Sequence, residues 1–99
     1  MVPFAAAIPQ TIPRTALVTG AARRLGRAMA LGLAEAGFAV AVHSHTNTAE
    51  AEATCAAIQR LGRATMALRA DLAREAEVAR LLPDAAAALG PIGVLVNNA

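Results

Sequence analysis

The sequence predicts an α/β fold: four parallel strands that alternate with three helices and form the first half of a doubly wound sheet. Four short runs are apolar at nearly every position, and the stretches between them place apolar residues at helical spacing. Strands that are apolar throughout belong to parallel sheets that helices cover on both faces. Right-handed crossovers then give the strand order 3-2-1-4.

The folded domain is predicted to begin at residue 14, after a flexible N-terminal arm. Residues 1–13 contain three prolines, which remove backbone donors and disfavour helix at the residues before them. All predicted strands and helices therefore fall within residues 14–99.

The first strand is the run TALVT, which ends at Gly20. From Arg24 the sequence has the spacing of an amphipathic helix, and Gly37 is the predicted C-terminal cap. The predicted buried stripe of this helix is Leu25, Met29, Leu33 and Ala36.

The second strand is the run FAVAVHS, and the second helix is predicted to follow from Asn47. Asn47 is the predicted N-cap, with Glu50 three residues further on. Because Cys55 falls on the apolar stripe, it is expected to be a small core residue rather than a nucleophile. The predicted stripe is Ala51, Thr54, Cys55, Ile58 and Leu61.

The third strand is ATMALRA, and the third helical stretch, LAREAEVARLLPDAAAALG, is one that Pro83 is expected to kink or interrupt. The fourth strand is IGVLVNNA. In the order 3-2-1-4 this strand forms an edge, where Val94–Val96 present a flat apolar run with no charge or proline to protect it. The sheet is therefore expected to be incomplete.

The composition argues against several classes of partner. The formal net charge is +2, and the nine basic residues are arginines scattered without a block, so nucleic acid is not an expected partner. No uncharged apolar run approaches the about 18 residues of a membrane span, and the N-terminus lacks the basic segment of a signal peptide. A single cysteine fits a reducing compartment. A cytoplasmic location is expected.

The segment TGAARRLG places Gly20 at the first strand-to-helix turn and Gly26 in the first helical turn. In a doubly wound sheet this turn directs backbone N–H groups and the positive end of the helix dipole at a bound phosphate. Arg23 and Arg24 stand at the same helix start, where cations are unfavourable unless an anion accompanies them. The segment indicates an anion site, although Arg23 alone also fits a solvated surface charge.

Four segments resemble, in the same order, the motifs of the short-chain dehydrogenase/reductase family. AVHSH resembles the His-Tyr-His end of the second strand in the pteridine reductases of that family. Asp71 and Leu72 resemble the adenine-contacting Asp-Leu pair, and LVNNA resembles the Asn-Asn-Ala-Gly motif. Gly93 departs from the pattern, since the family commonly has Asp there. TGAARRLG resembles the Thr-Gly-x-x-x-Gly-x-Gly cofactor loop, in the pteridine-reductase variant with arginine at the middle glycine: Thr19, Gly20, Arg24 and Gly26.

The resemblance implies a partial Rossmann-like, dinucleotide-binding domain over residues 14–99. The implied cofactor-binding residues are Gly20, Arg24, Leu25 and Gly26 around the pyrophosphate and adenosine ribose, Asp71 and Leu72 at the adenine, and Asn98 and Ala99 beside the ribose and nicotinamide.

The end of the second strand indicates which dinucleotide is bound. NAD sites place an acid about 20 residues past the loop to hold both ribose hydroxyls, and residues 36–49 contain no Asp or Glu. His43, Ser44 and His45 stand there instead, and with Arg24 they can donate to a 2′-phosphate. The implied cofactor is NADP(H).

Three of these assignments have alternatives. His43 and His45 as a pair also suggest a metal site, but no Cys, Asp or Glu accompanies them in the sequence, and no metal is expected. Asp71 also fits a helix N-terminal cap, a role compatible with ligand contact. Asn97 and Asn98 also fit a polar end to the fourth strand.

The resemblance also bears on activity. Family members reduce carbonyls or imines with a tyrosine acid and a lysine four residues later, and this chain has neither Tyr nor Lys. It is expected to be the N-terminal cofactor-binding portion of an NADP-dependent reductase of a small-molecule carbonyl or pteridine, with a homotetramer implied for the full-length relative. The open alternatives are a stand-alone nucleotide-binding module and a chain that completes its sheet with a partner.

Overall fold

A computed structural model describes residues 11–99, so the first ten residues of the predicted arm lie outside the described part. Strands and helices alternate along the chain, as predicted. The strands are β1 (Thr15–Val18), β2 (Ala39–Ser44), β3 (Thr65–Arg69) and β4 (Val94–Val96), and the helices are α1 (Arg24–Glu35), α2 (Thr48–Arg60) and α3 (Glu75–Leu89).

All strand pairs are parallel, and the sheet order β3-β2-β1-β4 confirms the prediction. β1 lies at the centre, where Leu17 pairs with Ala41 of β2 on one side and with Leu95 of β4 on the other. All four residues of β1 are buried. This position explains why the strand has no alternation of apolar and polar residues.

The sheet separates two apolar layers, one beneath α1 and α2 and the other beneath α3. The first layer includes Ala16, Val18, Phe38, Val40, Val42 and Ile58. The second layer includes Leu17, Ala41, Leu81 and Ala85. Neighbouring residues of β1 therefore point to opposite layers, and the helices on both faces make the fold Rossmann-like and doubly wound.

The helix boundaries follow the predicted signals. α1 ends at Glu35, and the N–H of Gly37 donates to the carbonyl of Ala34 at 3.0 Å. Asn47 holds the N-cap position of α2, although its side chain makes no capping hydrogen bond. Cys55 is half-buried against the first layer, as predicted, and burial raises the pKa of its thiol.

Two residues of the predicted buried stripes are exposed. Leu61 is 41% exposed because it holds the C-cap position of α2, beyond the helical turns that cover the sheet. Leu25 is 62% exposed because the first turn of α1 extends past the sheet and lines an open cavity.

Pro83 does not interrupt α3, so of the predicted kink or interruption the interruption is wrong. The helix is continuous from Glu75 to Leu89. A proline leaves the carbonyl four residues earlier without its helical donor; here that carbonyl belongs to Ala79, and both residues are exposed, so water can satisfy it.

Within residues 11–99, no helix combines the length and apolar character needed to cross a membrane.

β4 is an edge strand, as predicted, since it pairs with β1 alone among the described strands. Leu95 at its middle is 54% exposed. The strand is preceded by Gly93, whose N–H donates to the Thr15 carbonyl at 2.8 Å. A Cβ at Gly93 would collide with the carbonyl of Pro13. Glycine at this position avoids that collision.

Candidate functional site

The carboxyl ends of the four parallel strands meet at one edge of the sheet, and the loops after them line two cavities. One cavity, of about 360 Å³, lies over the start of α1, and the other, of about 390 Å³, lies beside the ends of β2 and β3. Open parallel sheets bind their ligands at this edge. The cavities are lined by all the predicted cofactor residues except Gly26: Gly20, Arg24, Leu25, His43, Ser44, His45, Asp71, Leu72, Asn98 and Ala99.

The turn between β1 and α1 is held by neighbouring strand ends. The N–H of Thr19 donates to the Val96 carbonyl at 3.0 Å, and the N–H of Ala21 donates to the His43 carbonyl at 2.9 Å. Between them, Gly20 has a φ of +62°, a left-handed conformation that glycine adopts without steric cost. The sequence TG therefore turns the chain sharply away from the sheet and into α1.

The N-terminus of α1 lacks the features that normally stabilise a helix start. Arg23 holds the N-cap position without a side-chain capping bond, and the first turn contains no acidic residue. Among residues 11–99, no backbone acceptor is found for the N–H groups from Ala22 to Gly26. These donors and the helix dipole together favour an anion at this point.

Arg24 adopts a backbone conformation that is unfavourable for its residue type. Its φ is +57°, and it is the only non-glycine residue with a positive φ in the described part of the chain. A side chain in this region costs about 1 kcal/mol. The guanidinium group is exposed on the cavity over α1. Strain at such a position points to a functional side chain.

Arg23 lies beside Arg24 but has a partner. Its Nη1 atom is 4.0 Å from Oε1 of Glu50, and both side chains are about half-exposed. An exposed ion pair at this distance contributes little to stability. The reading of Arg23 as a solvated surface charge, left open by the sequence, agrees with this geometry.

Gly26 lines neither cavity, because it lies directly behind the turn. A Cβ there would overlap the carbonyl oxygen of Gly20 and would lie 2.7 Å from the side-chain nitrogen of Asn98. Gly26 therefore serves the site by letting α1 approach the turn closely. Any larger residue would force the helix or the turn to move.

The hydroxyl group of Thr19 connects the first turn to residues 96–99. Its oxygen accepts hydrogen bonds from the N–H groups of Asn98, at 2.9 Å, and Ala99, at 3.2 Å. The side chain of Asn98 in turn donates to the Gly20 carbonyl at 3.2 Å. The sequence identified Thr19 as a motif residue but not as the residue that positions the Asn-Asn-Ala segment, because that contact spans almost the whole chain.

Replacing Thr19 with valine is expected to lower the free energy of unfolding by about 2 kcal/mol, because the variant keeps the side-chain shape but leaves two N–H groups without an acceptor. Urea denaturation measures the change. Thr48, exposed at the start of α2, provides the control, since Thr48→Val removes a hydroxyl that bonds nothing buried. Equal losses in the two variants would contradict this role of Thr19.

The residues at the end of β2 differ in their surroundings. His43 and Ser44 are buried, whereas the side chain of His45 is about half-exposed. Nδ1 of His43 lies 3.0 Å from the backbone nitrogen of Gly20, and its Nε2 lies 2.9 Å from the carbonyl oxygen of Ala70. Both ring nitrogens are therefore occupied, and direct contact between His43 and a phosphate would require one of these hydrogen bonds to break.

Asp71 follows β3 but does not cap α3, whose N-cap position belongs to Arg74. Its Oδ1 atom accepts the N–H of Ala73 at 2.9 Å, which closes an Asx-turn ahead of the helix. Oδ2 lies 3.8 Å from Nε2 of His45 and from Nε of Arg74. The cap alternative is thus wrong in detail, and the carboxylate faces the second cavity between the ends of β2 and β3.

Within residues 11–99, no three His, Cys, Asp or Glu side chains come close enough together to hold a metal ion. The exposed groups around the two cavities carry mainly hydrogen-bond donors: His45 and the arginines at the start of α1. Asp71 is the acidic residue among the cavity lining. The exposed donors at the start of α1 therefore suit an anionic ligand.

A parallel sheet in this order, with a glycine turn and an open helix N-terminus at its carboxyl edge, is the arrangement of the Rossmann-like, doubly wound class of protein. The chain belongs to the short chain dehydrogenase family, whose sequence model matches residues 14–99. It is 41% identical over 86 residues to the 3-oxoacyl-[acyl-carrier-protein] reductase FabG of Staphylococcus epidermidis, covering 87% of this chain and 35% of that protein.

Solved structures agree with this assignment. FolM Alternative dihydrofolate reductase 1 from Brucella canis, complexed with NADP, is 41% identical with a TM-score of 0.80, covering 86% of this chain and 34% of that one. Acetoin dehydrogenase from Enterobacter cloacae is 33% identical with a TM-score of 0.83, covering 91% and 36%. The chain thus spans about a third of the length of these relatives.

Proposed function

We propose that the chain binds NADP(H) and forms the cofactor-binding part of a short-chain reductase. The observation that carries the proposal is the start of α1, where N–H groups without backbone acceptors and the strained Arg24 lie at one cavity whose lining contains no acidic residue. The NADP in the FolM structure, a relative of similar fold, supports the same choice of ligand.

The two cavities fit the parts of a dinucleotide. The pyrophosphate would rest on the N–H groups from Ala22 to Leu25, residues that line the first cavity. Behind them, the absence of a Cβ at Gly26 keeps α1 against the turn. The adenine would lie in the second cavity beside Asp71 and Leu72. Asn98 and Ala99 line the first cavity on the side that the nicotinamide ribose would occupy. When bound, NADPH supplies a hydride.

The preference for NADP over NAD depends on the end of β2. An acid there would hold both hydroxyls of an unphosphorylated ribose and repel a 2′-phosphate. This chain instead has Ser44 and Arg24 in the lining of the first cavity and the half-exposed imidazole of His45 in the lining of the second. These groups donate hydrogen bonds, and a dianionic phosphate accepts them.

Calorimetric titration with NADPH and NADH tests the proposal. NADPH is expected to bind at least about tenfold more tightly, since charge-assisted hydrogen bonds to the 2′-phosphate are absent with NADH. Equal affinities would remove the 2′-phosphate argument, and binding of neither nucleotide would refute the function itself.

The replacement His45→Asp is expected to weaken NADPH binding by about 100-fold and to change NADH binding less than about threefold, because it sets a carboxylate against the phosphate. His45→Asn is the matched control, since it removes the imidazole without adding charge. The difference between the two variants, measured by the same titration, isolates the repulsion. A loss confined to NADH would contradict the placement of His45 at the 2′-phosphate.

Pteridine reduction is the reaction class we propose for a reductase in which this chain forms the cofactor-binding part, on the strength of the Arg24 variant of the glycine loop and the FolM relative. This chain has no Tyr and no Lys, so we propose that it binds the cofactor without reducing a substrate by itself. Oxidation of NADPH by the purified chain in the presence of a dihydropteridine would contradict that proposal.

The alternative function, a module that completes its sheet with another chain, is favoured by one observation. β4 leaves its outer edge unpaired among the described strands, and Leu95 is exposed there. A chain that binds no nucleotide but forms a stable complex through β4 would favour this alternative over cofactor binding.

A further inference from the structure

We propose that His43 is a positioning residue: its neutral imidazole fixes the glycine turn to the end of β3 and thereby sets the shape of the cofactor site, without touching the 2′-phosphate. This inference rests on the proposed function, because its effect is read as a change in nucleotide affinity. It assigns His43 a role different from the phosphate contact that the sequence suggested.

The hydrogen bonds determine the protonation state of the ring. The backbone nitrogen of Gly20 carries a proton and donates it to Nδ1 of His43 at 3.0 Å, so Nδ1 must be the unprotonated nitrogen. Nε2 lies 2.9 Å from the carbonyl oxygen of Ala70, which can only accept, so Nε2 must carry the proton. The ring is therefore the neutral Nε2–H tautomer, and it is 2% exposed.

The imidazole joins three strand ends at the point where the sheet ladder stops. Backbone hydrogen bonds flank it on both sides: Ala21 N–H to the His43 carbonyl at 2.9 Å, and Ala70 N–H to the Ser44 carbonyl at 3.1 Å. The side chain adds a link from Gly20 across β2 to Ala70. No other side chain in the described residues bonds both the glycine turn and the end of β3.

Two consequences follow for a ligand. The N–H of Gly20 is already used by His43, so the donors left for a pyrophosphate begin at Ala22. Ala70 immediately precedes Asp71, so the same ring also fixes the distance between the phosphate turn and the adenine cavity. A positioning role of this kind affects every nucleotide that spans both cavities, whether or not it has a 2′-phosphate.

The test compares two variants of the full chain by calorimetry with NADPH and NADH. His43→Leu removes both hydrogen bonds and is expected to raise the Kd of both nucleotides by the same factor, about tenfold. His43→Asn keeps an oxygen near the position of Nδ1 and is expected to restore binding to within about threefold of the original chain, since the bond to Gly20 is retained. Circular dichroism verifies that each variant is folded at the titration temperature.

The outcomes separate this inference from others. A loss confined to NADPH in either variant means that His43 contacts the 2′-phosphate and overturns the inference, as does unchanged binding in a folded His43→Leu variant. If His43→Leu does not fold, the inference is tested by nucleotide binding to His43→Asn and by the tautomer of the His43 ring. Nitrogen-15 NMR of the nucleotide-free chain must show an unprotonated Nδ1 coupled to the Gly20 N–H, and an Nδ1–H tautomer overturns the inference. If the original chain binds neither nucleotide, the proposed function fails, while the tautomer still tests whether the His43 ring links Gly20 to Ala70.

Discussion

Replacing Gly26 with alanine is expected to lower the free energy of unfolding by about 3 kcal/mol, which for a chain of this size is a drop of about 15 °C in melting temperature. The added methyl group would overlap the carbonyl oxygen of Gly20 and press on the Asn98 amide, and neither can retreat easily. The Gly20 carbonyl is backbone in a tight turn, and Asn98 is tied to Thr19. Nucleotide binding is expected to be lost with the turn.

Gly32 is a matched control in the same helix. A Cβ at Gly32 meets no atom within 4 Å, so Gly32→Ala is expected to raise the free energy of unfolding by about 1 kcal/mol through its higher helix propensity. The two variants differ only in where one methyl group is placed on α1. Thermal unfolding followed by circular dichroism measures both, and a stabilising Gly26→Ala would show that the close approach of α1 to the turn is absent.

Replacing Arg24 with glycine is expected to change stability and binding in opposite directions. Glycine accepts a φ of +57° without the steric penalty that arginine has there, so the free energy of unfolding should rise by about 1 kcal/mol. The loss of charged hydrogen bonds should raise the Kd of NADPH by about 30-fold. Such a trade of stability for binding is the signature of strain held at a functional residue.

Arg60→Gly is the control, because it removes the same charge from a residue that has ordinary helical geometry. It is expected to change stability in the direction opposite to Arg24→Gly. Arg60 lies in the last turn of α2, away from both cavities, and has helical geometry. Its replacement is expected to lower the free energy of unfolding by about 1 kcal/mol and to leave the Kd of NADPH unchanged. If Arg24→Gly lowers the free energy of unfolding as Arg60→Gly does, the positive φ of Arg24 does not destabilise the folded chain.

The fold could be predicted from the sequence because its signals are local and agree with one another. The all-apolar runs predicted β1 and β2, and the right-handed crossover rule predicted the strand order that the sheet has. Pro83 shows the limit of such signals. Proline is unfavourable within a helix, but the sequence does not show that Ala79 and Pro83 both face solvent, where the freed carbonyl can be hydrated.

The candidate site was predictable in its position but not in the roles of its members. The glycine turn and the strand ends gave the location, and the two cavities lie there. A buried histidine and a ligand-binding histidine, however, look the same in a sequence. Only the positions of Gly20 and Ala70 on either side of the ring show that the nitrogens of His43 are already engaged. The strain at Arg24 is likewise a property of the backbone that residue type does not reveal.

The hydrogen bond between Thr19 and Asn98 joins residues 79 positions apart. During synthesis, β1 leaves the ribosome early, but it cannot pair with β4 until residues 94–96 have emerged. Because closing so long a loop is slow relative to forming the local helices, the glycine turn cannot acquire its final support until then. The candidate site of a nascent chain is therefore complete only after nearly all of residues 14–99 have been translated.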